Sequence, residues 1–154
     1  MVWTLIIASF IATSVMTLFS YIVSWITQQP YKEPLLLAVL LNNFHVSDNK
    51  TSRTIGWSLH YLLGLLFVLA YDAIVRLEWL PISWTGALLY GTIIGIIGII
   101  GWIIMFRMSY TKPKMSYRAF YTQLFVAHVI FALATADCYL WKLSNTAFFP
   151  NFTS

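Results

Sequence analysis

Apolar residues do not alternate with polar ones in this chain; they run on unbroken. Four stretches, Trp3 to Thr27, Ile55 to Val75, Ile82 to Met105 and Ala119 to Trp141, carry almost no charge. Each reaches the ~20 residues that a helix needs to cross a hydrocarbon core. All seven tryptophans (Trp3, Trp25, Trp57, Trp79, Trp84, Trp102, Trp141) fall near a proposed helix end, where an indole prefers the headgroup layer. The pattern predicts an all-α, polytopic membrane protein: four transmembrane helices in a bundle, one domain over residues 1–154, with the lipid bilayer as its first partner. A fifth apolar run, Pro34 to Leu41, lies in the sizeable connection between the first two spans. Glu33-Pro34 suits a helix start and Asn42-Asn43 its stop, so a short helix is expected at the interface or packed beneath the bundle. The alternative is a docking element for another subunit. His45 to Arg53 reads as a solvated loop. Arg76 to Pro81 and Thr111 to Lys114 read as short links.

Composition agrees, with 60% hydrophobic and 9% charged residues, outside the range of a soluble domain. The net charge of +4 does not point to nucleic acid, because the basic residues lie between spans. Lys32, Lys50 and Arg53 fall in one connection and Arg107, Lys112, Lys114 and Arg118 in another, against Arg76 and Lys142 on the opposite side. The positive-inside rule puts the two basic connections in the cytoplasm and both ends of the chain outside. The first span has no basic n-region and exceeds a signal-peptide core, so it is read as a retained helix. Cys138 is the single cysteine, which leaves no intramolecular disulfide or thiolate cluster. Asn49-Lys50-Thr51 and Asn151-Phe152-Thr153 fit the glycosylation pattern, which matters only in a eukaryotic secretory membrane.

Within the apolar runs, one pattern repeats. His60, Gly64 and Tyr71 in the second span match His128, Ala132 and Tyr139 in the fourth at a constant offset. Eleven helical steps return nearly to the starting azimuth, so His and Tyr share a face in both helices. The spacing is consistent with a parallel two-plus-two internal repeat about an axis along the membrane normal. The other two spans carry small and hydroxyl residues: Ser9, Thr13, Thr17, Ser20 and Ser24 in the first, Gly91, Gly95 and Gly98 with Gly101 close by in the third. Such stripes allow close helix approach and interhelical hydrogen bonds in lipid. A hydroxyl-lined solute path is the competing account.

Intramembrane ionisable residues mark candidate chemistry. His60 and His128 are either structural, satisfied by a neighbouring hydroxyl or carbonyl, or joint axial ligands of haem b, with Gly64 and Ala132 giving room to the porphyrin and Arg53 and Arg118 meeting its propionates. Asp72 can pair with Arg76 one turn on. Asp137 faces away from His128, so interfacial contacts for Tyr71, Asp72, Asp137 and Tyr139 are favoured over proton relay. No H-E-x-x-H, G-x-S-x-G or phosphate-loop pattern is present, and nothing in the sequence supports catalysis.

The segments Met16 to Tyr21 (MTLFSY), Lys32 to Leu36 (KEPLL) and Gly56 to Gly64 (GWSLHYLLG) are similar to those of small uncharacterised four-helix membrane proteins of bacteria. That resemblance implies a polytopic inner-membrane protein with no assigned reaction. The functional expectation is a non-catalytic accessory or scaffold subunit of a larger membrane complex, with other membrane subunits or a homo-oligomer as partners. The alternatives are a haem-b electron-transfer bundle and a small-solute or proton-conducting oligomer.

Overall fold

The computed structural model describes residues 2–43, 49–110 and 112–148. It contains five helices, α1 (Val2–Thr27), α2 (Glu33–Asn43), α3 (Asn49–Arg76), α4 (Trp84–Met108) and α5 (Tyr117–Phe148), and no strand among the described residues. The helices α1, α3, α4 and α5 are long and apolar enough to cross a membrane. Their outward faces carry exposed Ile, Leu, Val and Phe along their length, the surface that lipid would cover.

Two helices outrun the apolar stretches that announce them. α3 begins at Asn49 rather than near Ile55, and α5 runs from Tyr117 to Phe148. Hydropathy marks the hydrocarbon core, whereas backbone hydrogen bonding continues into the polar layer until a stop signal intervenes. The solvated loop expected over His45 to Arg53 is therefore helical from Asn49 onward; residues 44–48 lie outside the described residues. Asn49-Lys50-Thr51 is the first turn of α3, and Asn151 lies outside the described residues. Both α1 and α3 end on a non-glycine residue with positive φ, Gln28 at 54° and Glu78 at 59°. In each case the next amide reaches back five residues, Gln29 to the Ser24 carbonyl and Trp79 to that of Ile74, the reach of a Schellman closure. α4 starts at a Ser83 cap, whose hydroxyl accepts from the Gly86 amide at 3.1 Å.

Side-by-side packing follows the series α4·α5, α5·α1, α1·α3 and α3·α2. The glycines of α4 make the first contact close: a Cβ on Gly91 would lie 2.8 Å from the Val129 Cα, and one on Gly95 2.9 Å from the Phe125 ring. The hydroxyl stripe of α1 faces inward, with Ser9, Thr13, Thr17, Ser20 and Ser24 all buried. The short helix α2 packs into the bundle instead of lying flat on a membrane surface. Its Leu36, Leu37 and Leu40 join Tyr31, Trp102, Phe106, Phe120 and Leu124 in a buried cluster at the end bearing the basic connections. Trp102 is buried in this cluster against Phe106 and Phe120, unlike the exposed Trp3, Trp25, Trp79 and Trp141. α2 can come this close because α3 offers Gly56, where a Cβ would meet the Pro34 carbonyl oxygen at 2.5 Å. A second cluster fills the opposite half around Ala8, Ala12, Val68, Tyr71, Tyr90 and Tyr139.

A parallel two-plus-two arrangement would relate the pair α1/α3 to the pair α4/α5. A strict twofold axis would make the α3/α4 seam the image of the packed α1/α5 seam, yet the principal contacts leave α3 and α4 at the two ends of the row of four long helices. They meet through Tyr90, whose hydroxyl donates to the Phe67 carbonyl at 2.6 Å and whose ring stands 5.2 Å from that of Tyr71.

Candidate functional site

Below that tyrosine contact, the seam between α3 and α4 opens into a cavity of about 440 Å³. Leu63 of α3 and Ile97 and Ile104 of α4 belong to its wall and are also exposed on the outside of the bundle. The mouth therefore faces sideways, toward the lipid. One end of the bundle is closed by Tyr71, Tyr90 and Tyr139, the other by α2 and the aromatic side chains packed on it. Thr13, Met16, Glu33, Leu37, His60, Phe67, Trp102 and His128 line the interior. An apolar volume of this size, with a few convergent polar groups, is the ordinary form of a small-molecule site.

Both repeated histidines reach this space, and hydrogen-bond accounting fixes the proton on each. The Thr17 hydroxyl donates its one proton to the Thr13 carbonyl at 2.6 Å. His60 Nε2, 2.9 Å from the same oxygen, must then be the donor, which leaves Nδ1 as a bare acceptor. His128 Nδ1 lies 2.8 Å from the Leu124 carbonyl, an oxygen that can only accept, so this ring carries its proton on Nδ1 and presents Nε2 as a lone pair. Gly98 makes room for that ring, since a Cβ there would come within 2.9 Å of Nε2.

Glu33, the first residue of α2, is buried in the wall, 2% exposed. Its Oε1 accepts from Ser20 of α1 at 2.7 Å and from Gln123 of α5 at 3.0 Å. Gln123 Nε2 also donates to the Ser20 hydroxyl at 2.6 Å. Glu33 Oε2 has no hydrogen-bond partner, and neither has the buried Gln123 Oε1. The neighbouring Lys32 turns outward instead, its ammonium 4.9 Å from the centre of the Tyr21 ring. Burial pushes the Glu33 carboxyl up to about 6, against the opposing pull of its hydrogen bonds from Gln123 and Ser20.

Comparison with family models, curated proteins and solved structures finds no match. The site is thus described by its own geometry. The three segments MTLFSY, KEPLL and GWSLHYLLG converge in it: Ser20 meets Glu33, Thr17 meets His60, and Gly56 receives Pro34.

Of the two alternatives for the histidines, the geometry shows the hydrogen bonds of the structural one. His60 is held through Nε2 by Thr17 and His128 through Nδ1 by the Leu124 carbonyl, and each keeps one ring nitrogen without a protein partner. Gly64, which lines the cavity, and Ala132 also sit where helices meet. A Cβ on Gly64 would collide with the Thr13 hydroxyl, and Ala132 packs against Gly91 of α4. Both are contact points between helices, where small residues let backbones approach. Arg53 and Arg118 are exposed on the outer surface. Among the described residues there is no group of three or more His, Cys, Asp or Glu side chains placed to hold a metal.

The remaining candidates fall elsewhere. The rings of Tyr71 and Tyr139 meet edge to face at 5.4 Å at the closed end, and the Tyr139 hydroxyl donates to Asp72 Oδ1 at 3.0 Å. Arg76 Nε reaches Asp72 Oδ2 at 2.5 Å, the expected one-turn pair. Asp137 is exposed on another face. The hydroxyl stripe is used inside the bundle, Ser24 for instance donating to the Gln29 carbonyl, and the cavity opens toward lipid instead of along the bundle axis. The sequence reading passed over Glu33 and Gln123. A carboxylate adjoining PLLLAVLL and the one glutamine inside a span were the available signals.

Proposed function

We propose that this protein is a non-catalytic, multi-pass membrane protein that takes a lipid-soluble small molecule from the bilayer into the α3/α4 cleft. The observation that carries this reading is the cavity itself: about 440 Å³, with a lipid-facing rim at Leu63, Ile97 and Ile104 and with Glu33, His60 and His128 in its wall. Acyl chains alone would not require three buried polar side chains at this depth, whereas a ligand with a polar head would use them. Placed in the bacterial inner membrane, the location that the resemblance implies, the basic connections face the cytoplasm, and the start of α1 and the end of α5 face outward.

The test uses a bromine-tagged long-chain alcohol and the fluorescence of Trp102, which lines the cavity. The protein is held in lipid nanodiscs, and the Trp102→Phe variant gives the signal of the other tryptophans. Saturable quenching beyond that background is expected. It should disappear in Gly101→Phe, because Gly101 lines the cavity and a side chain there meets open space. Unsaturable quenching, equal in both proteins, would overturn the reading.

Gly101 also favours a second reading, the accessory subunit, in which a transmembrane helix of a partner lies in the cleft against this small residue. A photo-crosslinker at Ile97 that captures a second polypeptide, in place of lipid or ligand, would assign the cleft to that helix.

A further inference from the structure

The unpartnered polar atoms in the cleft wall and directly behind it are mostly acceptors. His60 Nδ1 and His128 Nε2 are lone pairs, fixed as such by the Thr17 hydroxyl and the Leu124 carbonyl. Glu33 Oε2 is a carboxylate oxygen without a partner, and Gln123 Oε1, buried beside the same cluster, is a carbonyl oxygen without one. Among the described residues that line the cleft, Thr13 carries the one hydroxyl without a partner. A buried acceptor left without a donor is costly, and a buried carboxylate without a cation more so. Among the described residues no cation approaches Glu33, since Lys32 turns away to Tyr21.

Resting on the cleft reading above, we infer that the molecule bound there is a lipophilic amine: an apolar body bearing a protonated nitrogen with N–H donors, which Glu33, His60 and His128 receive. Such a head group supplies both things that the wall lacks, hydrogen-bond donors and positive charge. The apolar body meets Met16, Phe67, Trp102 and Phe131, and the aromatic faces among them also favour a cation. A fatty acid brings a second carboxylate to Glu33. A quinone or ester brings only further acceptors, and leaves the orphaned atoms as they were.

The experiment compares three bromine-tagged probes of equal chain length in the same Trp102 quenching assay: a primary ammonium, its N-acetyl amide and the carboxylate. The full-length protein in zwitterionic nanodiscs should bind the ammonium about tenfold or more tightly than the amide, the ratio expected of one charge-assisted hydrogen bond to a buried carboxylate. The carboxylate should bind most weakly. Glu33→Gln should bring the ammonium down to the level of the amide. Equal affinity of ammonium and amide in the unaltered protein, or tightest binding of the carboxylate, overturns the head-group assignment while leaving the cleft as a binding site. That comparison needs no variant, so it stands even where Glu33→Gln fails to fold. Absence of saturable Trp102 quenching by all three probes overturns the cleft reading together with the inference.

Discussion

At the scale of single residues, the site is governed by groups whose hydrogen-bonding capacity exceeds what the protein supplies. Glu33 shows this most directly. Burial holds its carboxyl at about 6, above the ordinary 4.5. The folded state therefore binds this proton more tightly than the unfolded chain does. Its stabilising effect is fully present below about pH 4.5 and is lost as pH rises through about 6, a change on the order of 2 kcal/mol. The hydrogen-bonding neighbours Ser20 on α1 and Gln123 on α5 do not titrate in this range, but His60 and His128 share the cleft wall and are titratable, so the Glu33 contribution is read as the difference between the unaltered protein and Glu33→Gln. Reversible unfolding in mixed micelles between pH 4.5 and 7 should show the unaltered protein losing about 2 kcal/mol relative to Glu33→Gln as pH rises. An equal slope in both proteins would assign the pH dependence to another group.

At the scale of elements, two helices owe their position or their ending to a single residue. α2 is docked through Gly56, and Gly56→Leu would drive a side chain into the Pro34 carbonyl and the Ala38 backbone. We expect α2 to leave its groove, at a cost of about 1–3 kcal/mol, the scale of overpacking. Trp102 should then shift its emission to the red, since α2 helps bury it. An unchanged emission spectrum would show that α2 tolerates the bulk by moving as a unit. The end of α3 makes the opposite prediction. Glu78 holds a left-handed conformation, φ 59°, that suits glycine. Glu78→Gly should therefore stabilise the protein by about 0.5–1 kcal/mol, read as a higher unfolding midpoint, after allowance for the greater freedom of glycine in the unfolded chain. A lower midpoint would indicate that the Glu78 side chain contributes more than its backbone costs.

At the scale of the whole molecule, the four long helices form a bundle with one seam closed and the other open. The two glycines that test this difference lie on the same helix. Gly91 is pressed against the backbone of α5, whereas Gly101 borders open space. Gly91→Leu should part α4 from α5 and lower stability by about 1–3 kcal/mol, while Gly101→Leu should leave the unfolding midpoint nearly unchanged. Equal loss in both variants would mean that the seam at Gly101 is packed against something in the membrane. The repeated His and Tyr positions share one interior, but α3 and α4 are held together by Tyr90 and Tyr71 and not by close backbone packing.

The four spans, the short insert and the inward stripes were legible in the sequence because each depends on local properties, the length of an apolar run and the period of small residues along it. The lipid-facing surface followed for the same reason. Convergence of the two histidines on one interior could be anticipated from their spacing, but not their tautomers, which depend on Thr17 of α1 and on a carbonyl one turn away. Glu33 was legible only as a helix start. Its burial arises from how α2 folds back between α1, α3 and α5, where Ser20 and Gln123, 103 residues apart in the chain, meet it from two sides. The cleft was not legible at all. It exists because α5 packs on α1 while α3 and α4 do not close on each other, and only the tertiary structure decides which pair of equally apolar faces comes together when lipid solvates both.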